Sequence, residues 1–99
     1  MVRKPEKQPS MELYEEIVRL HDVEHCYRFF QDLCSISELR SMEQRFDVAK
    51  RLYDGHVYTE IVEETGASSA TISRVNRALK YGTNGLLDAF DEGAAEPEE

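Results

Sequence analysis

Residues 66–81 read Gly-Ala-Ser-Ser-Ala-Thr-Ile-Ser-Arg-Val-Asn-Arg-Ala-Leu-Lys-Tyr, and no other stretch restricts the fold so tightly. The glycine marks a tight turn. A short helix follows, capped by Ser68 or Ser69 and running to about Tyr81, just before Gly82. With residues placed at about 100° intervals, Ile72, Val75 and Leu79 share one narrow sector, and Ala70, Ser73, Arg74, Arg77 and Tyr81 point to the other side. Such a helix lays its apolar sector on a neighbour and keeps its opposite side outward, as the second helix of a helix-turn-helix does. The inner trio is expected to pack on Ile61 and Val62 of the preceding helix.

Charge reinforces this reading. The chain of 99 residues carries a net −8, yet residues 67–82 hold three bases (Arg74, Arg77, Lys80) and no acid. A local cationic strip on an acidic protein is the footprint of a polyanion-binding helix. Screening over about 10 Å lets the strip act while acids on other faces are damped. The acidic surplus weakens non-specific binding and sharpens dependence on a correct site. Small residues at the start of the helix let backbone approach base edges, and the hydroxyls of Ser69, Thr71 and Ser73 suit bases or phosphates.

The remaining helices follow from apolar spacing and caps. Ser10 is expected to cap a first helix over roughly 11–20, with Leu13, Tyr14, Ile17 and Val18 on one face. Asp22 caps a second, whose stripe is Val23, Cys26, Tyr27, Phe30, Leu33 and Cys34. Ser35-Ile-Ser-Glu38 fits a capping box for a third, with Leu39, Met42, Phe46, Ala49 and Leu52 or Tyr53 as its stripe and Gly55 as its end. Thr59 is expected to cap a short fourth helix, and Asn84 a last one carrying Leu86, Leu87 and Phe90. No alternating strand pattern appears. The expected organisation is a disordered arm at 1–9, one helical domain at 10–90 and an acidic disordered tail at 91–99. Cys26 and Cys34 share one helix about 12 Å apart, too far for a disulfide. No apolar run is long enough to span a membrane and no export signal opens the chain, so a cytoplasmic location is expected.

Two stretches resemble the tryptophan repressor superfamily. One is Met42-Glu-Gln-Arg-Phe-Asp-Val-Ala-Lys-Arg-Leu-Tyr-Asp-Gly55; the other is Thr65-Gly-Ala-Ser-Ser-Ala-Thr-Ile-Ser-Arg-Val75. Cys-Tyr-Arg-Phe-Phe-Gln-Asp-Leu-Cys at 26–34 is similar to the pattern of its YerC/YecD-type branch. The resemblance spans roughly residues 26–81. It implies an all-α, intertwined homodimer with six helices per chain, interlocked N-terminal helices and each fifth helix in a major groove. The large apolar stripe on the second helix independently favours a dimer, because exposed aromatic faces need cover. The resemblance puts Ser69, Ala70, Thr71 and Ser73 at DNA-contacting positions, and the wheel adds Arg77; Ser68 stands at the helix start beside them.

By the same resemblance Arg45 and Arg74 correspond to the two arginines that flank the co-repressor indole and hold its carboxylate. The rest of that pocket departs from the pattern. Val75 stands where the repressors have a glycine beside the indole, Ala78 stands where they have a serine, and the Gly55–Gly66 connection is one residue shorter. The expectation is therefore no bound tryptophan and no cofactor, with Arg45 and Arg74 free to hold another anion, contact phosphate or pair with Glu38, Glu43 or Asp47.

Other chemistry lacks support. His21 and His25 have a metal-ligand spacing, but nothing completes a set of three or four. No catalytic triad, Cys–His pair or phosphate loop occurs in supporting context. The sequence thus predicts a homodimeric regulator, a repressor, that binds double-stranded DNA sequence-specifically and has no catalytic, metal or membrane role. The alternative is a helix-turn-helix-shaped adaptor that binds protein through the acidic surface.

Overall fold

The computed structural model describes residues 8–94, which form six helices. They are α1 (Met11–Val18), α2 (Val23–Leu33), α3 (Ile36–Tyr53), α4 (Tyr58–Thr65), α5 (Ser69–Tyr81) and α6 (Gly85–Ala94). No strand occurs among the described residues, and none of their helices is long and apolar enough to cross a membrane. The fold divides between Ile36 and Ser37 into two compact units.

The first unit holds α1 and α2. Ser10 is the N-cap of α1 through its backbone alone, with its carbonyl accepting from Leu13 N–H at 3.2 Å. Asp22 caps α2 as expected, and its carboxylate accepts from His25 N–H at 2.8 Å. That backbone bond, more than the His25 ring beside it, holds the Asp22 carboxyl below its ordinary range. The cap is thus fully formed above pH ~4 and is lost as pH falls through the lowered value. Neither helix buries a single residue, and the expected α2 stripe leaves Val23, Tyr27 and Leu33 open. Phe29 and Phe30 meet edge to face at 5.4 Å.

The second unit is built around Val48, Ala49, Ile61, Ala67, Ile72, Val75, Leu79 and Phe90, with Leu52, Tyr53, Leu86 and Leu87 packed against them. Here α3 departs from expectation. Of its predicted stripe only Ala49 is fully buried; Phe46 is 55% exposed and Met42 37%, while Val48 is fully enclosed. Val48 lies about 160° from Phe46 around the helix, so the face that α3 gives to this core is wider than the expected stripe, with Val48 enclosed at its far side.

In α4 the cap is Val57 rather than Thr59. The Glu60 carboxylate reaches back to accept from Val57 N–H at 3.2 Å, so a side chain from within the first turn serves the helix start. Ile61 is buried as expected, but Val62 is 40% exposed. Adjacent residues on a helix diverge by about 100°, and an eight-residue helix resting on one side gives only one of them to the core.

Gly66 ends α4 in the left-handed region at φ +74°, where glycine avoids the cost of a Cβ. Thr65 pins the turn: its hydroxyl donates to the Ile61 carbonyl at 2.7 Å and accepts from Ala67 N–H at 3.1 Å. From α3, the Gln44 amide donates to the Thr65 carbonyl at 3.2 Å.

Asn84, at φ +73°, opens α6 with its carbonyl, which accepts from Asp88 N–H at 2.8 Å. The helix then runs to Ala94, past the residue-90 boundary expected for the domain. Three contacts hold it there. The Phe90 ring is buried 5.1 Å from Tyr53 and 5.5 Å from Phe46, and the Tyr53 hydroxyl donates to Asp91. That hydrogen bond, with desolvation and the Asp91 charge, raises the Tyr53 phenol above its usual range. The remainder of the expected tail, 95–99, and of the expected arm, 1–7, lies outside the described residues.

Candidate nucleic-acid interface

The second unit presents α5 as the spacing of its residues requires. Ile72, Val75 and Leu79 are buried, whereas Ala70, Ser73, Arg74, Arg77 and Lys80 are exposed. Of the two serines considered for the cap, Ser68 takes the role. Its Oγ accepts from Thr71 N–H at 3.1 Å, and its hydroxyl donates to Thr71 Oγ1. Ser68 and Thr71 therefore spend part of their hydrogen-bonding capacity on each other. Ser69 and Ser73 stay open, and Thr71 is half-buried.

The bases differ in how they are used. In α3, Arg51 is bound on two sides, by Asp47 at 3.1 Å and by Glu64 of α4, and His56 shares the same Glu64 at 3.3 Å. That network fastens the α3–α4 turn internally. Among the described residues, by contrast, no ion pair engages Arg74, Arg77 or Lys80. The first turn of α5 also contains no acid to oppose an incoming anion, so the free N–H groups of its helix start keep their partial positive charge.

Arg45 and Arg74 come together. They line a hollow of about 340 Å³ between α3 and α5, with Ser41, Gln44, Ala70 and Thr71 completing its wall. Asp47, considered as a partner for these arginines, is bound to Arg51 instead. Val75, which stands where the repressors have a glycine beside the indole, is not part of this wall; it is buried in the core with the rest of the inner sector of α5. Ser41 and Gln44 were not visible as site residues. The available signal was that Ser41, Gln44, Arg45 and Val48 share one side of α3 at helical spacing, polar at one end and apolar at the other.

An apolar-backed, acid-free basic helix behind a glycine turn defines a helix-turn-helix regulator. The chain belongs to the Trp repressor family, whose profile, described as Trp repressor protein, matches residues 9–93. It is 51% identical over 80 residues to the uncharacterized protein YerC of Bacillus subtilis (strain 168), a match covering 81% of this chain and 77% of that protein. The crystal structure of a TrpR-like protein from Eubacterium eligens ATCC 27750 matches with a TM-score of 0.82 at 44% identity, over 89% of this chain and 91% of that one. A second crystal structure, from Staphylococcus aureus, matches with a TM-score of 0.81 at 42% identity, over 89% and 88% of the two chains.

Proposed function

We propose that the protein is a cytoplasmic, homodimeric repressor of transcription that binds double-stranded DNA sequence-specifically through α5. One observation carries the reading. The side of α5 away from the core is basic, acid-free and unpaired, while its opposite side is sealed into the second unit. Ser68, Ser69, Ala70, Thr71, Ser73 and Arg77 are the residues that meet the duplex, and the exposed Arg74 reaches a phosphate beside them. The small ones at the helix start let backbone reach base edges, and Arg77 reaches a base or phosphate further along.

Dimerisation rests on the apolar surface each chain leaves open. The first unit exposes Tyr14, Val18, Val23 and Tyr27, and α3 exposes Met42 and Phe46. A second copy that covers these faces supplies the burial that so small a chain lacks. Two α5 helices then read half-sites about 34–36 Å apart.

The test is genome-wide capture of DNA by the tagged protein, followed by a salt titration on the recovered site. Affinity is expected to fall steeply with salt. A flat response on DNA of any sequence would favour a protein-binding adaptor instead.

A second reading concerns the hollow. The Arg45 and Arg74 guanidinium groups border it together with Ser41, Gln44 and Thr71, and two cations on one hollow suit a small anion. Calorimetry is expected to give heat with inorganic phosphate or a small carboxylate that disappears in Arg45→Ala, and none with tryptophan. Heat with tryptophan that Arg45→Ala removes would reverse that choice of ligand.

A further inference from the structure

Tyr81 is the last residue of α5 and, at 81% exposure, the most open of the chain's five tyrosines. Tyr53 spends its hydroxyl on Asp91. Among the described residues nothing engages the Tyr81 ring or hydroxyl. A lone exposed aromatic is ordinary; its address is not. Tyr81 follows Arg77 by one helical turn and continues the outward row that begins at Ala70.

We propose that Tyr81 is a phosphate anchor, its phenol donating a hydrogen bond to the DNA backbone at the edge of the groove that the start of α5 enters. The inference rests on the DNA reading above and extends it to a residue that reading does not use. Ala70 and Tyr81 are separated by about 16 Å along the helix axis, and the major groove is about 12 Å wide. With the start of α5 at the base edges, its last turn therefore reaches the phosphate wall. No acid lies in residues 67–82 to compete for the donor. Gly82 ends the helix directly after Tyr81, where a Cβ would sit 2.5 Å from the Ala78 carbonyl oxygen. Tyrosine suits the place because its ring packs on sugar while its hydroxyl reaches an anion.

A neutral donor and a cation leave different signatures. Losing a neutral donor weakens binding without changing counterion release, whereas losing a cation lowers the salt slope. The experiment measures affinity against salt for the full chain, Tyr81→Phe and Arg77→Ala, on the recovered site and on random duplex. Tyr81→Phe is expected to bind about five- to tenfold more weakly at every salt concentration, with the slope unchanged and the same loss on both DNAs. Arg77→Ala is expected to lower the slope by about 1. Wild-type affinity in Tyr81→Phe, or a changed sedimentation mass, would overturn the anchor; the latter would place the ring in a subunit contact. Failure of the wild-type chain to bind duplex DNA would instead defeat the DNA reading, and it is seen before any variant is made.

Discussion

Ile72→Ala is expected to cost about 3 to 4 kcal/mol of stability, more than any exposed substitution in the chain. Ile72 is fully enclosed, and its neighbours in the core come from α3, α4, α5 and α6. Removing three carbons there forfeits transfer energy and leaves a space that four helices cannot all close around. At about 4–8 °C per kcal/mol for a domain this size, the melting temperature should drop by roughly 15 °C or more. The comparison is Val62→Ala, one helix away and 40% exposed, which should cost about 1 kcal/mol or less. Circular dichroism melts at one fixed chain concentration make the measurement, because self-association would make the melting point move with concentration. Equal losses in the two variants would mean that the core is not centred where α4 and α5 meet.

The contrast between those two residues also shows how far sequence reading reaches. Asp22 is legible because a cap is local: its carboxylate needs only the N–H three residues on. Gly66 is legible for the same reason, and the two sides of α5 follow because its bases and apolar residues never share a sector. Where one helix carries apolar groups over a wide arc, the pattern cannot say which of them are enclosed. Met42 and Phe46 form the larger stripe on α3, yet the small Val48 and Ala49 are the residues enclosed. Which apolar residues of a long helix are enclosed depends on where its neighbours cross it, information that a single helix's periodicity does not hold.

The site divides along the same line. The outward residues of α5 were readable one by one, because exposure opposite an apolar sector follows from the helix alone. The hollow was not readable from spacing, because it needs two helices in register; only the resemblance paired Arg45 with Arg74. Ser41 and Gln44 are unremarkable until α3 is set against Thr71 and Arg74. Val75 follows the wheel: it is buried in the core with Ile72 and Leu79 and takes no part in the wall of the hollow.

Arg74→Ala combined with Arg77→Ala is expected to abolish most DNA binding while leaving the fold intact. Both residues are exposed and neither takes part in an ion pair among the described residues, so their loss strands no buried partner. Stability should change by no more than about 0.5 kcal/mol, the range for surface positions away from caps and cores. Each guanidinium bonded to an anionic phosphate contributes about 1.5 kcal/mol or more, so the pair should cost about 3 kcal/mol, a roughly 150-fold loss of affinity. The salt slope should fall by about 1.8, since each phosphate neutralised contributes about 0.9. The single variants separate two roles. Arg77→Ala should weaken DNA binding and leave anion heats unchanged, because Arg77 is outside the hollow. Arg74→Ala should reduce both, because Arg74 borders the hollow and the outward face of α5 together. Fluorescence anisotropy with the recovered site at several salt concentrations, alongside melts of the same samples, makes the measurement. A double variant that binds like the wild type, with an unchanged slope, would show that the basic side of α5 does not face DNA.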